Sequence, residues 1–164
     1  LEVIAGHLKK LDFNGIHVVG GSQWSEVRLE ANRLGINFVL NKNWEQGQFS
    51  SLKSALSVLG SEIGGALITL VDHPFVAFGT YKHMLETWQK FTNRIVIPVY
   101  DNRRGHPIII SQHIIRESLE SSEETNLKEL IKNHERMVIR LKVDDPGILQ
   151  DIDTQDDFDK ARKP

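Results

Sequence analysis

Apolar residues recur along the chain in two periods, and the period switches repeatedly from one end to the other. Leu1, Ile4, Leu8 and Leu11 stand at helical spacing, Asn14-Gly15 interrupts, and IHVVGG follows as a short apolar run closed by two glycines. That order predicts helix, turn and strand. Val27, Leu29 and Leu34 lie in a second helical stretch that stops at Gly35, and INFVL at 36–40 is the next strand. Leu52, Ala55, Leu56 and Leu59 mark one helix face, with Ser50 and Ser51 before it as N-caps and Gly60 after it. ALITLV then reads as a buried strand. Phe78, Tyr81, Leu85 and Trp88 form another amphipathic helix, and IVIPVY and HPIII are strands separated by the turn-rich DNRRG. Thr125 is placed to cap a short helix NLKELIKNH, MVIRLKV is a last strand, and DIDTQDDFDKARK closes as a helix with an acidic first turn. This alternation predicts a single three-layer α/β domain over residues 1–164 with a mostly parallel sheet.

Charge and composition narrow the chemistry. The 164 residues carry 20 Lys+Arg against 22 Asp+Glu, so the chain lacks the basic excess that nucleic-acid binding uses, and a small-molecule partner is expected. There are no cysteines, which excludes disulfides and thiolate metal sites and suits a cytoplasmic protein. No apolar run approaches the roughly 20 residues of a membrane span, and no signal-peptide pattern opens the chain. The first residue is Leu1, so residues upstream of it are expected in the natural reading frame.

Two acidic positions stand out against this background. Asp72 ends the strand LITLV and is followed by His73-Pro74, where proline stops the ladder. In an α/β sheet ligands gather at the carboxyl ends of strands, and a carboxylate there can hold Mg²⁺ while a nucleotide's phosphates supply further oxygens. An Asp-X-Pro also serves as a plain turn or helix cap, and that reading stands beside the first. Near the other end, Asp151 and Asp153 flank one residue, so in an extended segment both carboxylates point to one side and favour a shared cation. Thr154, Asp156 and Asp157 read as a capped helix N-terminus. Two loops offer further contacts. The stretch from Gln46 to Ser51 sets Gly47, Ser50 and Ser51 at a helix start suited to nucleotide oxygens, or to simple capping. The loop Arg103-Arg104-Gly105-His106-Pro107 joins two cations to a tight turn, where His106 is either a phosphate or substrate contact or an ordinary surface histidine. His83, His113 and His134 show no metal-like spacing and read as surface or packing residues, while Trp88 and Phe91 read as core or half-buried.

Taken together and in order, VDHPFV, NWEQGQFSSLKSAL, RRGHPIII and VDDPGILQDIDTQDDF resemble the nucleotidyltransferases of molybdenum cofactor, above all the cytidylyltransferases with patterns such as GDQPFV, GMGSSL, RRGHPVL and DDPGVLLDIDTPEDL. The terminal motif, from Val143 to Asp157, is the most specific. The resemblance implies a Rossmann-like nucleotidyltransferase fold and transfer of CMP from CTP to molybdopterin with release of pyrophosphate. It implies Asp72 and Asp153, with Asp151 beside them, as Mg²⁺ ligands. It further implies Gly47, Ser50, Ser51 and Asp72 at the nucleotide, and Arg104, Gly105, His106 and Pro107 at the pterin substrate, with a molybdoenzyme or its chaperone as a further partner. A GTP-using guanylyltransferase, a sugar-nucleotide pyrophosphorylase and a non-catalytic cofactor- or nucleotide-binding domain are the alternatives. Two departures accompany it. Val71 and His73 flank Asp72 where the family has glycine and a residue such as glutamine or methionine. A strand and glycine-rich loop resembling LAAGxSxRMG, followed by lysine, are absent before Leu1, and the expectation is that they precede it and supply a central strand.

Overall fold

The structure, a computed structural model, describes residues 1–122 and 124–152. Asp153 and the expected acidic helix after it lie outside the described residues. The elements run α1 (Glu2–Leu8), β1 (His17–Gly20), α2 (Trp24–Leu34), β2 (Asn37–Leu40), α3 (Gln48–Ser57), β3 (Gly65–Ile68), α4 (Phe78–Lys90), β4 (Ile95–Tyr100), β5 (Arg103–Arg104), β6 (Ile108–Ser111), α5 (Gln112–Glu120), α6 (Leu127–Asn133) and β7 (Val138–Lys142), with short 3₁₀ turns at Trp44–Gln46, Glu135–Met137 and Pro146–Leu149. The periodic segments therefore form close to where their patterns place them. One helix, α5, was not expected, and Asn126 instead of Thr125 caps α6, its side chain accepting from the Glu129 N–H at 3.0 Å.

The expected mostly parallel sheet is corrected. β1 and β2 pair in parallel as a separate two-stranded sheet, while the larger sheet runs β3-β6-β4-β5 with β7 also on β4. In it β4–β7 is parallel, but β3–β6, β4–β6 and β4–β5 are antiparallel. The physical reason is the connection between β4 and β6. Parallel neighbours need a crossover of about a dozen residues or more, and only residues 101–107 separate these strands, so the chain must double back. Asp101 and Asn102 make the reversal with φ of 47° and 59°, the positive pair that a tight hairpin turn requires. β3, β4 and β7 still run the same way, and β6 is inverted among them.

Strand alternation sorts the core onto the two faces of this sheet. Ile95 and Ile97 of β4 and Ile108 and Ile110 of β6 pack with Leu56, Ile114, Ile115 and Ile131 from α3, α5 and α6. Val96 and Ile109, one residue out of phase, pack against Met84 of α4 on the opposite face. Trp88, half-buried as expected, lies over the start of β3, where a Cβ on Gly65 would fall 2.4 Å from its ring. Phe91 departs from expectation: it follows the end of α4 and is 53% exposed. Among the described residues no helix is long and apolar enough to cross a membrane.

Between β1 and β3 the two sheets part. Val18 and Val19 on one side and Ala66, Leu67 and Ile68 on the other line a groove of about 1180 Å³. Among the described residues β1 pairs only with β2, and β3 only with β6.

Candidate functional site

Three loops meet beyond the carboxyl ends of β3 and β4, and one buried carboxylate ties two of them. Asp145, 7% exposed, accepts from the Ala77 N–H at 2.9 Å, the Thr80 hydroxyl at 2.5 Å and the Gly147 N–H at 2.9 Å. It thereby satisfies donors at the start of α4 and fixes the turn at Pro146–Leu149 against it. The packing is close enough to demand glycine. A Cβ on Gly147 would stand 2.2 Å from the Phe75 carbonyl oxygen, and one on Gly105 would stand 2.2 Å from that of Ile148. The third loop is held by the His106 N–H donating to the Ile148 carbonyl at 3.0 Å and the Gly105 N–H donating to that of Pro98 at 3.1 Å. The His106-Pro107 peptide is cis.

This interlock brings Asp72 and His106 into one neighbourhood. His73, buried beside Asp72, has its Nε2 4.0 Å from the Asp72 carboxylate, and its ring lies 5.5 Å from that of His106. Burial, aided by the charge of His73 and opposed by Asp72, pulls the His106 imidazole down to about 4, so it is neutral at neutral pH. The Nδ1 atoms of both histidines are buried without a hydrogen-bond partner. Such atoms in a native fold call for a ligand, water or ion. His73 was read from sequence only as a departure from the family pattern; its place between Asp72 and His106 was not legible without the fold.

Asp72 itself is half-exposed, with its side chain 47% accessible, and its carboxylate makes no hydrogen bond among the described residues. Its carbonyl oxygen accepts from the Ile152 N–H at 2.8 Å, which fastens the acidic segment to the Asp72 turn. Asp151 is exposed, one residue before that bond. An acceptor-only carboxylate open to solvent has the donor chemistry that a hard divalent ion takes.

The glycine-serine loop serves its own turn. Gly47 has φ +89°, in the region that favours glycine, and precedes α3 with no side-chain cap. The Ser50 hydroxyl donates to the Asn43 and Gly47 carbonyls, and the buried Asn41 amide donates to the Ser50 and Ser51 hydroxyls at 2.8 and 3.0 Å. Local bonding thus occupies the serine oxygens, and Asn41, which organises them, drew no attention in the sequence. Arg104 donates to Glu135, which also accepts from Arg140; these contacts hold the Glu135 carboxyl below its usual range. Ser51, Arg104, Gly105 and His106 line the groove between the sheets, whereas Gly47, Ser50, Asp72, Pro107 and Asp151 do not.

The comparisons with known proteins bear on what such a site belongs to. A curated relative, the molybdenum cofactor cytidylyltransferase of Escherichia coli K12, is 23% identical over 133 residues, covering 81% of this chain and 66% of that protein. Among solved structures, Rv0371c from Mycobacterium tuberculosis H37Rv superposes with a TM-score of 0.80 at 23% identity over 98% of this chain and 83% of that one. Its complex with manganese gives 0.78 at 23% identity over 97% and 84%. At these identities the superpositions establish an α/β nucleotidyltransferase fold. Residues 1–138 match the MobA-like NTP transferase domain, and the chain belongs to that family.

Proposed function

We propose that this chain is a cytoplasmic nucleotidyltransferase domain over residues 1–164 that transfers CMP from CTP to molybdopterin and releases pyrophosphate. In this reading Asp72 and Asp153 hold Mg²⁺, with Asp151 adjacent. The observation that carries it is the hydrogen bond from the Ile152 N–H to the Asp72 carbonyl, because it ties the residue before Asp153 to the other proposed ligand. The family membership and the activity named for the Escherichia coli relative support the reaction class and the choice of CTP.

The chemistry needs no protein nucleophile. A terminal phosphate oxygen of the pterin attacks the α-phosphorus of CTP in line, the α–β anhydride bond breaks, and pyrophosphate leaves with the electron pair. When bound, the divalent ion would offset charge on the attacking, transferred and leaving oxygens. The chain's own part is positioning. Asp72 presents its half-exposed carboxylate beyond the end of β3. His106, neutral at neutral pH, can donate one hydrogen bond to an acceptor phosphate without adding charge, and Arg104 and the exposed Arg103 add positive potential to the same loop. Gly47, Ser50 and Ser51 shape the start of α3, whose dipole favours nucleotide phosphate.

The test is pyrophosphate release by the purified protein with Mg²⁺, molybdopterin and either CTP or GTP, with a sugar 1-phosphate as the competing acceptor. Turnover selective for CTP and molybdopterin is expected, and His106→Ala should raise KM for the pterin and leave that for CTP near its original value. Preference for GTP or for the sugar phosphate, or nucleotide binding without turnover, would overturn the assignment.

A further inference from the structure

Away from this site, two histidines that the sequence leaves unrelated are brought together around one carboxylate. His113 and Glu117 are four residues apart on α5, so they share a helix face. His134 caps the end of α6, and α5 and α6 are locked in place through Ile114, Ile115 and Ile131 in a common core cluster. The His134 Nε2 lies 2.6 Å from the Glu117 Oε2, the His113 Nε2 lies 3.7 Å from the same oxygen, and the three ligand atoms all fall within 4.8 Å of one another. The two imidazoles meet edge-on, 5.4 Å apart and at 89°, each with its Nε2 toward the shared carboxylate.

We propose that His113, Glu117 and His134 bind a borderline divalent transition-metal ion of the Zn²⁺ class. Metal–ligand bonds of about 2.0–2.1 Å in a tetrahedron place ligand atoms roughly 3.3 Å apart. The two imidazole-to-carboxylate distances, 2.6 and 3.7 Å, bracket that spacing. Two imidazoles and one carboxylate select Zn²⁺ over Mg²⁺, which prefers oxygen alone. The side-chain exposures of 64% for His113, 34% for Glu117 and 21% for His134 leave an open side for water as a fourth ligand. The site is separate from Asp72. α5 begins where the Gln112 N–H donates to the Gly64 carbonyl, at the entrance to β3, whereas Asp72 follows the exit of that strand. The ion would therefore act as a clasp between α5 and α6 and take no part in nucleotide chemistry.

A plain Glu117–His134 ion pair, with His113 a bystander, is the competing account, and metal titration separates the two. Tag-free protein is titrated with Zn²⁺, and separately with Co²⁺ followed by its visible absorption, with excess Mg²⁺ present to fill oxygen-only sites. One equivalent should bind, the melting temperature should rise with Zn²⁺, and His113→Ala and His134→Ala should each weaken binding at least about tenfold. His113 is exposed, so its variant keeps the test open even if His134→Ala fails to fold. Absence of saturable binding in the parent protein, or wild-type affinity in the His113→Ala variant, would overturn the proposal.

Discussion

Acid should destabilise this fold through His106 in a window set by its own burial. The imidazole is held near 4 in the folded chain against 6.5 as a free group, so folding favours the neutral form. Above pH 6.5 both states are neutral and the group contributes nothing. As pH falls below 6.5 the unfolded chain takes up the proton while the folded chain resists it, so stability is lost until about pH 4, where the folded state protonates as well. At 1.36 kcal/mol per pH unit the complete loss is about 3 kcal/mol, and at pH 5 it is about 2 kcal/mol. The groups that face His106 set the sign: burial and His73 oppose the proton, and the Asp72 carboxylate favours it. The assay is urea unfolding of the parent and His106→Gln between pH 7.5 and 4.5 in chelating buffer. Carboxylates titrate in both proteins, so the difference between the two curves isolates His106. The parent should lose about 2 kcal/mol more than the variant between pH 7.5 and 5. Parallel curves, or a variant that is the more acid-sensitive, would refute the reasoning.

Two further outcomes test the loop interlock that positions the site. Asp145→Ala strands the Ala77 and Gly147 N–H groups and the Thr80 hydroxyl, and should cost about 3 kcal/mol, or roughly 6–12 °C in Tm by calorimetry. A loss under 1 kcal/mol would show that water replaces the carboxylate. Gly147→Ala should cost about 1–3 kcal/mol because its Cβ meets the Phe75 carbonyl, whereas Gly79→Ala on α4, with nothing within 4 Å, should be neutral or stabilising; equal effects in denaturant melts would contradict the packing.

What was legible in the sequence follows from how local each signal is. The turn-forming DNRRG announces itself within a few residues, and the fold has it, whereas the strand expected to run up to Asp72 stops at Ile68 and leaves the carboxylate on the turn that follows. The direction of β6 was also implicit in the short connection after β4, but the broad helix-strand alternation outweighed it. α5 was missed because it follows β6 without a connecting loop: Ser111 both ends the strand and stands at the N-cap of the helix, so no glycine or proline marks the change of period. Asp145 could not be recognised as a clamp, since its partners are local at Gly147 but distant at Ala77 and Thr80, and only the fold assembles them. The pairing of His113 with His134 is non-local in the same way. Its local half, a histidine and a glutamate at i and i+4, would have drawn attention only once α5 was identified.

The central claim is that Asp72 and Asp153 grip one divalent ion together, and Mn²⁺ binding tests it most directly. Electron paramagnetic resonance of free Mn²⁺ in the presence of CTP measures the affinity of the parent protein, Asp72→Asn and Asp153→Asn. Both variants should remain folded and each should bind at least about tenfold more weakly, because each removes a charged oxygen ligand. Unchanged Mn²⁺ affinity in either variant would contradict the account.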